Sequence, residues 1–366
     1  MTDRPRHHPA LRSFAEPDEP MPPLALAGPT HRMGLNENPY GPTEAVQQAI
    51  LRSCRDGHRY PSMDNGELTA LLASRREVPA EMVVAGPGLV ALCRGLVHAT
   101  AGPGDEVVLP WPSFDDYLVD ALLHEAVPVR SPLREHRLDL DDIADRVGPR
   151  TRLVFLCNPN NPTGTAFTQE ALERFLDAVP PRVTVVLDEA YHEFGTAPDL
   201  ADGLRALPDR GNLCVLRTFS KAYGLAGLRV AYAIAHPVVS AALRNVMLPF
   251  GLSRVAEAAA VAALHDEPEI TRRVRRIVSE RESMTARLHT AGWPVVPSQG
   301  NFVWLALGRH AAAVALRLAT AGIAVRAYPG HGIRITATTS PDTERLLHVL
   351  EEISLHQHEE GVPCRT

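Results

Sequence analysis

The sequence predicts an α/β protein: a large domain with a mostly parallel sheet covered by helices, followed by a smaller α/β domain. Three observations predict it. Five short apolar runs each contain valine and each give way within two residues to Gly, Pro, Asn, Asp or Thr. Helical patterns separate the runs, as in a parallel sheet covered on both faces. Beyond about residue 250 the pattern changes to a long charged helix and a second set of short strands.

Residues 1–30 hold seven prolines, several acidic residues and no apolar core of signal-peptide length, and are expected to form a mobile arm. The large domain is expected over 31–250. Its strands are Val83-Val84-Ala85, Glu106 to Leu109, Leu153 to Leu156, Val183 to Leu187 and Leu213 to Leu216. Ligands of such sheets sit at the carboxyl ends of the strands. The polar segments Gly86-Pro87-Gly88, Asn158 to Gly164, Asp188 to Tyr191 and Thr218 to Lys221 fall at those ends. The smaller domain is expected over 251–366. Ile270, Val274, Ile277, Val278 and Leu288 mark its helix, and Asn301 to Leu305, Ile323 to Arg326 and Gly332 to Thr336 mark its strands.

Composition excludes several classes. With 37 Lys plus Arg against 43 Asp plus Glu, the net charge of −6 supplies no broad field for nucleic acid. The basic stretch Arg272-Arg273-Val274-Arg275-Arg276 is flanked by Glu267, Glu269, Glu280 and Glu282, which reads as a solvated helix face. Five scattered cysteines form no CxxC pair, so neither a zinc site nor a disulfide framework is indicated. No apolar run is long enough to span a bilayer, and a cytoplasmic protein is expected.

Lysine occurs once, at Lys221, among 37 basic residues. Arg stays protonated, whereas a buried Lys can lose its proton and attack a carbonyl. Coding bias toward Arg accounts for a lone lysine equally well on composition alone. The neighbours decide: Thr218-Phe219-Ser220-Lys221-Ala222-Tyr223-Gly224-Leu225-Ala226-Gly227-Leu228-Arg229 is polar, hydroxyl-flanked and glycine-rich, which does not suit a solvated helix face. Asn158-Pro159-Asn160-Asn161-Pro162-Thr163-Gly164 reads as a turn when taken alone. Asp188, 27 residues after Asn161 and 33 before Lys221, ends an apolar strand, where a carboxylate is costly unless a cation or donor meets it. An N-cap would account for Asp188 but would not predict the other two.

With these motifs the chain resembles the fold type I aminotransferases of class I/II that depend on pyridoxal phosphate, and most of all the histidinol-phosphate aminotransferase group. Matching segments run from Leu35-Asn36-Glu37-Asn38-Pro39-Tyr40-Gly41-Pro42 to Arg334-Ile335-Thr336. The resemblance implies roles that make chemical sense one by one. Lys221 would form the imine with the cofactor aldehyde and move the substrate proton. Asp188 would pair with the pyridine nitrogen and keep it protonated. Asn161 and Tyr191 would hydrogen-bond the ring hydroxyl oxygen, and Phe114 would stack on the ring unless it is a core aromatic. Thr218, Ser220 and Arg229 would hold the phosphate, assisted by backbone N–H groups at Gly88 and Leu89. Arg334 would bind the substrate carboxylate, with Arg326 meeting a distal anion and Asn36 part of the substrate site. Tyr60 would reach the phosphate of a neighbouring subunit, making the active site that of a homodimer. No metal is implied.

Two departures stand out. Leu89, Val90 and Ala91 stand where the family carries polar side chains, so the cofactor is expected to be held more loosely or by another group, and residues 20–32 contain no Tyr where relatives acting on histidinol phosphate carry one. Ping-pong transamination is therefore expected, with a histidinol-phosphate-like, aromatic or specialised-metabolism amino donor and a 2-oxo acid acceptor. The same scaffold also supports a decarboxylase or an oxidase. A non-catalytic regulator would need a DNA-binding extension, which is not apparent.

Overall fold

The computed structural model describes residues 31–359. The expected N-terminal arm and the last seven residues of the expected small domain lie outside them. In chain order the strands are β1 (His31–Arg32), β2 (Val83–Gly86), β3 (Glu106–Trp111), β4 (Val127–Pro132), β5 (Thr151–Cys157), β6 (Thr184–Asp188) and β7 (Leu213–Thr218). There follow β8 (Ala231–Ala235), β9 (Val295–Val296), β10 (Phe302–Leu305), β11 (Ile323–Ala324), β12 (Arg326–Tyr328) and β13 (Gly332–Thr336).

A seven-stranded sheet runs in the order β2-β8-β7-β6-β5-β3-β4. The five strands from β7 to β4 are parallel; β8 is antiparallel to both β7 and β2. β5, β6 and β7 are buried along nearly their whole length, which is why their sequences are continuous apolar runs rather than alternating ones. Being parallel and adjacent, they deliver their C-terminal residues Cys157, Asp188 and Thr218 to one edge of the sheet.

The five expected strands all form, and two more were not expected. β4 is an edge strand, mostly exposed or half-buried and interrupted by prolines, so it lacks the apolar run of a central strand. β8 is rich in alanine, which carries little strand signal. A four-stranded antiparallel sheet, β12-β13-β10-β9, follows in the C-terminal part. The run Ile323 to Arg326, expected as one strand, divides in two. Ile323–Ala324 pairs in parallel with His31–Arg32, and Arg326 begins β12 beside β13. The helix Glu267–Thr290 buries Ile270, Val274, Ile277 and Leu288 and leaves its arginine stretch largely outside, where Arg272 and Arg273 both pair with Glu269.

The segment Gly34 to Asn38 links the two main sheets through polar contacts. Asn36 N–H donates to Thr336 Oγ1 at 2.9 Å, and Asn38 Nδ2 donates to the carbonyls of Lys221 and Ala222 at 3.2 and 2.9 Å. No helix among the described residues is long and apolar enough to cross a membrane.

Candidate active site

A cavity of about 380 Å³ opens at the carboxyl edge of the seven-stranded sheet and is closed on its far side by β12 and β13. Leu89, Phe114, Asn161, Asp188, Tyr191, Thr218, Ser220, Lys221, Arg229, Arg326 and Arg334 all line it. Residues drawn from positions 89 to 334 of the sequence therefore meet in one place.

Asp188 is fully buried at the end of β6. Its Oδ1 accepts from Ala190 N–H at 2.9 Å, and its Oδ2 accepts from the Tyr117 hydroxyl. Burial pushes its pKa up to about 6, against the lowering effect of those two donors and of Lys221. Such a carboxylate is short of one cationic partner.

Lys221 lies three residues beyond β7, and its Nζ donates to the Leu35 carbonyl at 3.0 Å. Burial, then the positive charges of Arg334 and Arg229, bring its pKa down to about 7; Glu37 and Asp188 oppose the shift. At neutral pH a large fraction of this amine is uncharged and nucleophilic.

The loop after β5 is built by two of its asparagines and presents the third. Asn158 Oδ1 accepts from Phe167 N–H at 2.9 Å, and Asn160 bridges Ser113 Oγ at 2.8 Å and Thr163 Oγ1 at 2.9 Å. Gly164 closes the turn at φ +74°, and a Cβ there would stand 2.1 Å from Ser298 Oγ. Asn161 is thereby left to face the cavity, where its Oδ1 accepts from Arg334 Nη1. Tyr191, also buried, accepts from Asn36 Nδ2 at 3.0 Å; Asn36 itself sits behind the lining.

At the other end, Thr218 Oγ1 lies 3.0 Å from Ser220 Oγ and accepts from Ser220 N–H at 3.1 Å. Arg229 Nη1 donates to Ser220 Oγ at 3.4 Å. Gly88 has φ +90°, and a Cβ at that position would fall 2.4 Å from Arg229 Nη2, so only glycine lets the guanidinium lie there. Leu89 begins the helix Leu89–Thr100, whose first N–H groups have no intrahelical partner.

Opposite stand the residues of the four-stranded sheet. Buried Arg334 donates from Nη2 to the Gly34 carbonyl at 2.7 Å, while its Nε has no partner. Arg326 donates from Nη2 to Asp115 Oδ2 at 3.0 Å, so the cation expected to meet a distal anion is already paired. Tyr60 stands apart from the cavity: it is 78 % exposed and packs on Phe250 with ring centroids 4.9 Å apart.

Sequence reasoning missed Tyr117, Asp115, Tyr328 and the carbonyls of Gly34 and Leu35. Tyr117 lies three residues past Phe114 and is fully buried, stacked on Phe155 at 4.2 Å. The signal that could have found it is a tyrosine set among Leu118, Ala121 and Leu122 in a largely apolar stretch, because a buried Tyr usually needs a partner. Carbonyls carry no side-chain signal at all.

The donor set suits pyridoxal phosphate. Two hydroxyls, a guanidinium and helix N–H groups gather at the Gly88 end for a phosphate. A carboxylate short of a cation stands ready for a protonated pyridine nitrogen, Asn161 and Tyr191 for a ring oxygen, and a partly deprotonated amine for an aldehyde. The unpartnered Nε of Arg334 is a buried donor that a substrate carboxylate would satisfy.

Comparison with known proteins agrees. A family model described as Aminotransferase class I and II matches residues 30–353. An aromatic amino acid aminotransferase of Streptomyces avermitilis is 46% identical over 335 residues, covering 91% of this chain and 93% of that protein. One of Thermobifida fusca is 46% identical over 348 residues, covering 94% and 97%. Among solved structures, the histidinol-phosphate aminotransferase of Sinorhizobium meliloti in complex with pyridoxal-5'-phosphate superposes with a TM-score of 0.86 at 29% identity, covering 96% of this chain and 98% of that one.

Proposed function

The chain belongs to the class I and II aminotransferases of fold type I and its cofactor is pyridoxal phosphate, and we propose that it moves the amino group of an aromatic amino acid to a 2-oxo acid in a ping-pong cycle. The observation that carries the choice of donor is the Asp115–Arg326 pair, whose side chains meet at 3.0 Å across the cavity's two walls. A neutralised arginine beside Leu35, Phe114 and Tyr328 favours an uncharged, apolar side chain over a phosphate or a second carboxylate. The names of the 46% identical relatives support the same donor class. Residues 20–32 also lack the Tyr expected of enzymes acting on histidinol phosphate.

When bound, pyridoxal phosphate supplies an aldehyde that exchanges with amines and a ring that accepts electrons. The chain does the rest. Thr218, Ser220, Arg229 and the backbone at Gly88 and Leu89 hold the phosphate, with Tyr60 of a second subunit expected to join them. Asp188, held by Tyr117 and Ala190, keeps the pyridine nitrogen protonated. Asn161 and Tyr191 hold the ring oxygen, and Phe114 covers the ring. Arg334 orients the substrate through its carboxylate, placing the Cα proton within reach of Lys221, whose lowered proton affinity suits it to take that proton and return it. The proposal includes a cytoplasmic homodimer with a cofactor domain over 31–250 and a smaller domain over 251–366.

A half-reaction screen tests the donor. Cofactor-loaded protein is mixed separately with phenylalanine, tyrosine, tryptophan, histidinol phosphate and glutamate, and products are identified by mass. Rapid conversion to the pyridoxamine form with the aromatic amino acids supports the proposal. Preference for histidinol phosphate would replace it, and release of carbon dioxide or uptake of oxygen without that form would contradict transamination.

A further inference from the structure

Glu189 and Arg217 each adjoin a cavity residue in sequence, Asp188 and Thr218, yet neither lines the cavity. Alternation along β6 and β7 turns them to the far side of the sheet edge. There Arg217 donates from Nε and Nη2 to Glu189 Oε2 at 2.9 and 2.8 Å, and from Nη2 to Asp202 Oδ1 at 2.9 Å. The other Glu189 oxygen accepts from Gly203 N–H at 2.7 Å. Both charges are out of solvent, with Glu189 at 0% and Arg217 at 3% exposure.

The remaining titratable groups around the pair come from several elements. His192 stands 3.9 Å from both Glu189 Oε1 and Asp202 Oδ2, and its Nδ1 has no hydrogen-bond partner. Half-buried Glu193 and the Tyr232 hydroxyl act on Arg217, and Arg76 donates to Tyr232 at 3.4 Å with Tyr223 close by. Burial opposes the charge of Arg217, but Glu189, Tyr232, Glu193 and Asp202 outweigh it and hold the guanidinium protonated.

A buried ion pair is a weak source of stability, because an apolar pair of equal volume often serves as well or better. Its position supplies a better reason. β6 and β7 pair Asp188 with Leu216, and Glu189 N–H continues the ladder to the Leu216 carbonyl at 2.9 Å. The ion pair then ties the two strand ends by their side chains, just where one ends in Asp188 and the other leads into Thr218, Ser220 and Lys221. Its near end is an anion: Glu189 raises the proton affinity of Asp188.

We propose that Glu189 and Arg217 are positioning residues, which fix the two strand ends relative to each other and set, through their charges, how protons are shared between Asp188 and Lys221. The inference rests on the roles given to those two residues above. Neither Glu189 nor Arg217 touches substrate or cofactor.

The test is a pH titration of the absorbance of the cofactor-loaded protein, with cofactor dissociation and melting measured alongside. Glu189→Gln removes a negative charge under the site and should lower the titration midpoint by about one pH unit, the size expected of a nearby buried charge at an effective dielectric of about 20. Asp202→Asn should lower it less, because that carboxylate is partly exposed to solvent whereas Glu189 is fully buried. Arg217→Gln should raise it, and the Glu189→Gln/Arg217→Gln double variant should return it toward the parent value. Opposite signs are what a purely structural role would not produce. If Arg217→Gln does not fold, the two downward shifts still carry the test. Unchanged midpoints in Glu189→Gln and Asp202→Asn, with melting alone reduced, would overturn the proposal. A parent protein lacking a Lys221-dependent absorbance band would instead sink the assignment of Lys221.

Discussion

Asp188, Thr218 and Lys221 stand at the end of the seven-stranded sheet, whereas Arg326, Tyr328 and Arg334 stand on the four-stranded one, and the two walls are held differently. On the first wall both oxygens of Asp188 are engaged, the hydroxyls of Thr218 and Ser220 are joined, and a buried ion pair lies beneath. On the second, Arg334 keeps a free Nε and Arg326 leans on a half-exposed carboxylate. Under the roles proposed above, the contrast separates two tasks. Groups that hold a permanent cofactor gain from being locked in place, because fixed dipoles need no rearrangement during the reaction. Groups that must accept a donor and then a different acceptor gain from partners that can be exchanged.

The comparison can be broken at its strongest point by Arg334→Lys. Replacing a planar guanidinium by a single ammonium should lower kcat/KM for every amino acid by about 2 kcal/mol, roughly 30-fold, with the cofactor absorbance unchanged. A changed absorbance would mean that the second wall also holds the cofactor. Asp115→Asn sharpens the contrast. Freed from its partner, Arg326 should improve glutamate relative to phenylalanine as donor by about tenfold in kcat/KM. An unaltered ratio would remove Arg326 from substrate selection.

The smallest effect is on stability. In cofactor-free protein Lys221 has a folded pKa of about 7, below its ordinary value of 10.5. Between those values the unfolded chain binds one proton more than the folded one, so stability rises with pH from about 7 to 10.5. Melting of the cofactor-free protein should therefore shift upward by a few degrees on going from pH 7 to 9, and Lys221→Met should flatten the rise. Asp188 acts in the opposite sense at lower pH. Its raised pKa makes the folded state bind the extra proton between its ordinary 3.8 and about 6, so its contribution is lost as pH rises through that window.

The first wall was far more legible in the sequence than the second. Asn161, Asp188 and Lys221 each follow an apolar run at the end of a buried parallel strand, so burial and turn chemistry announce them locally. Tyr117 was missed because its partner lies 71 residues away and nothing in its own helix names Asp188. The Asp115–Arg326 pair spans 211 residues and is created only when β12 folds against the first wall. Arg326 was picked out, but a charge read in one dimension carries no record of the carboxylate that will meet it. Gly34 and Leu35 contribute through backbone carbonyls, which every residue has. Tyr60 was named for a neighbouring subunit, and in the single chain it stands exposed on the surface, away from the cavity.

The single lysine offers the most direct test of the central claim, that Lys221 is the group joined to the cofactor. Protein loaded with pyridoxal phosphate is reduced with borohydride, digested, and the labelled peptide identified by mass, with Lys221→Ala treated in parallel. The account predicts one labelled peptide, the one containing Lys221, and neither that label nor the cofactor absorbance in the variant. Label on the N-terminal amine alone, or undiminished turnover in Lys221→Ala, would contradict it.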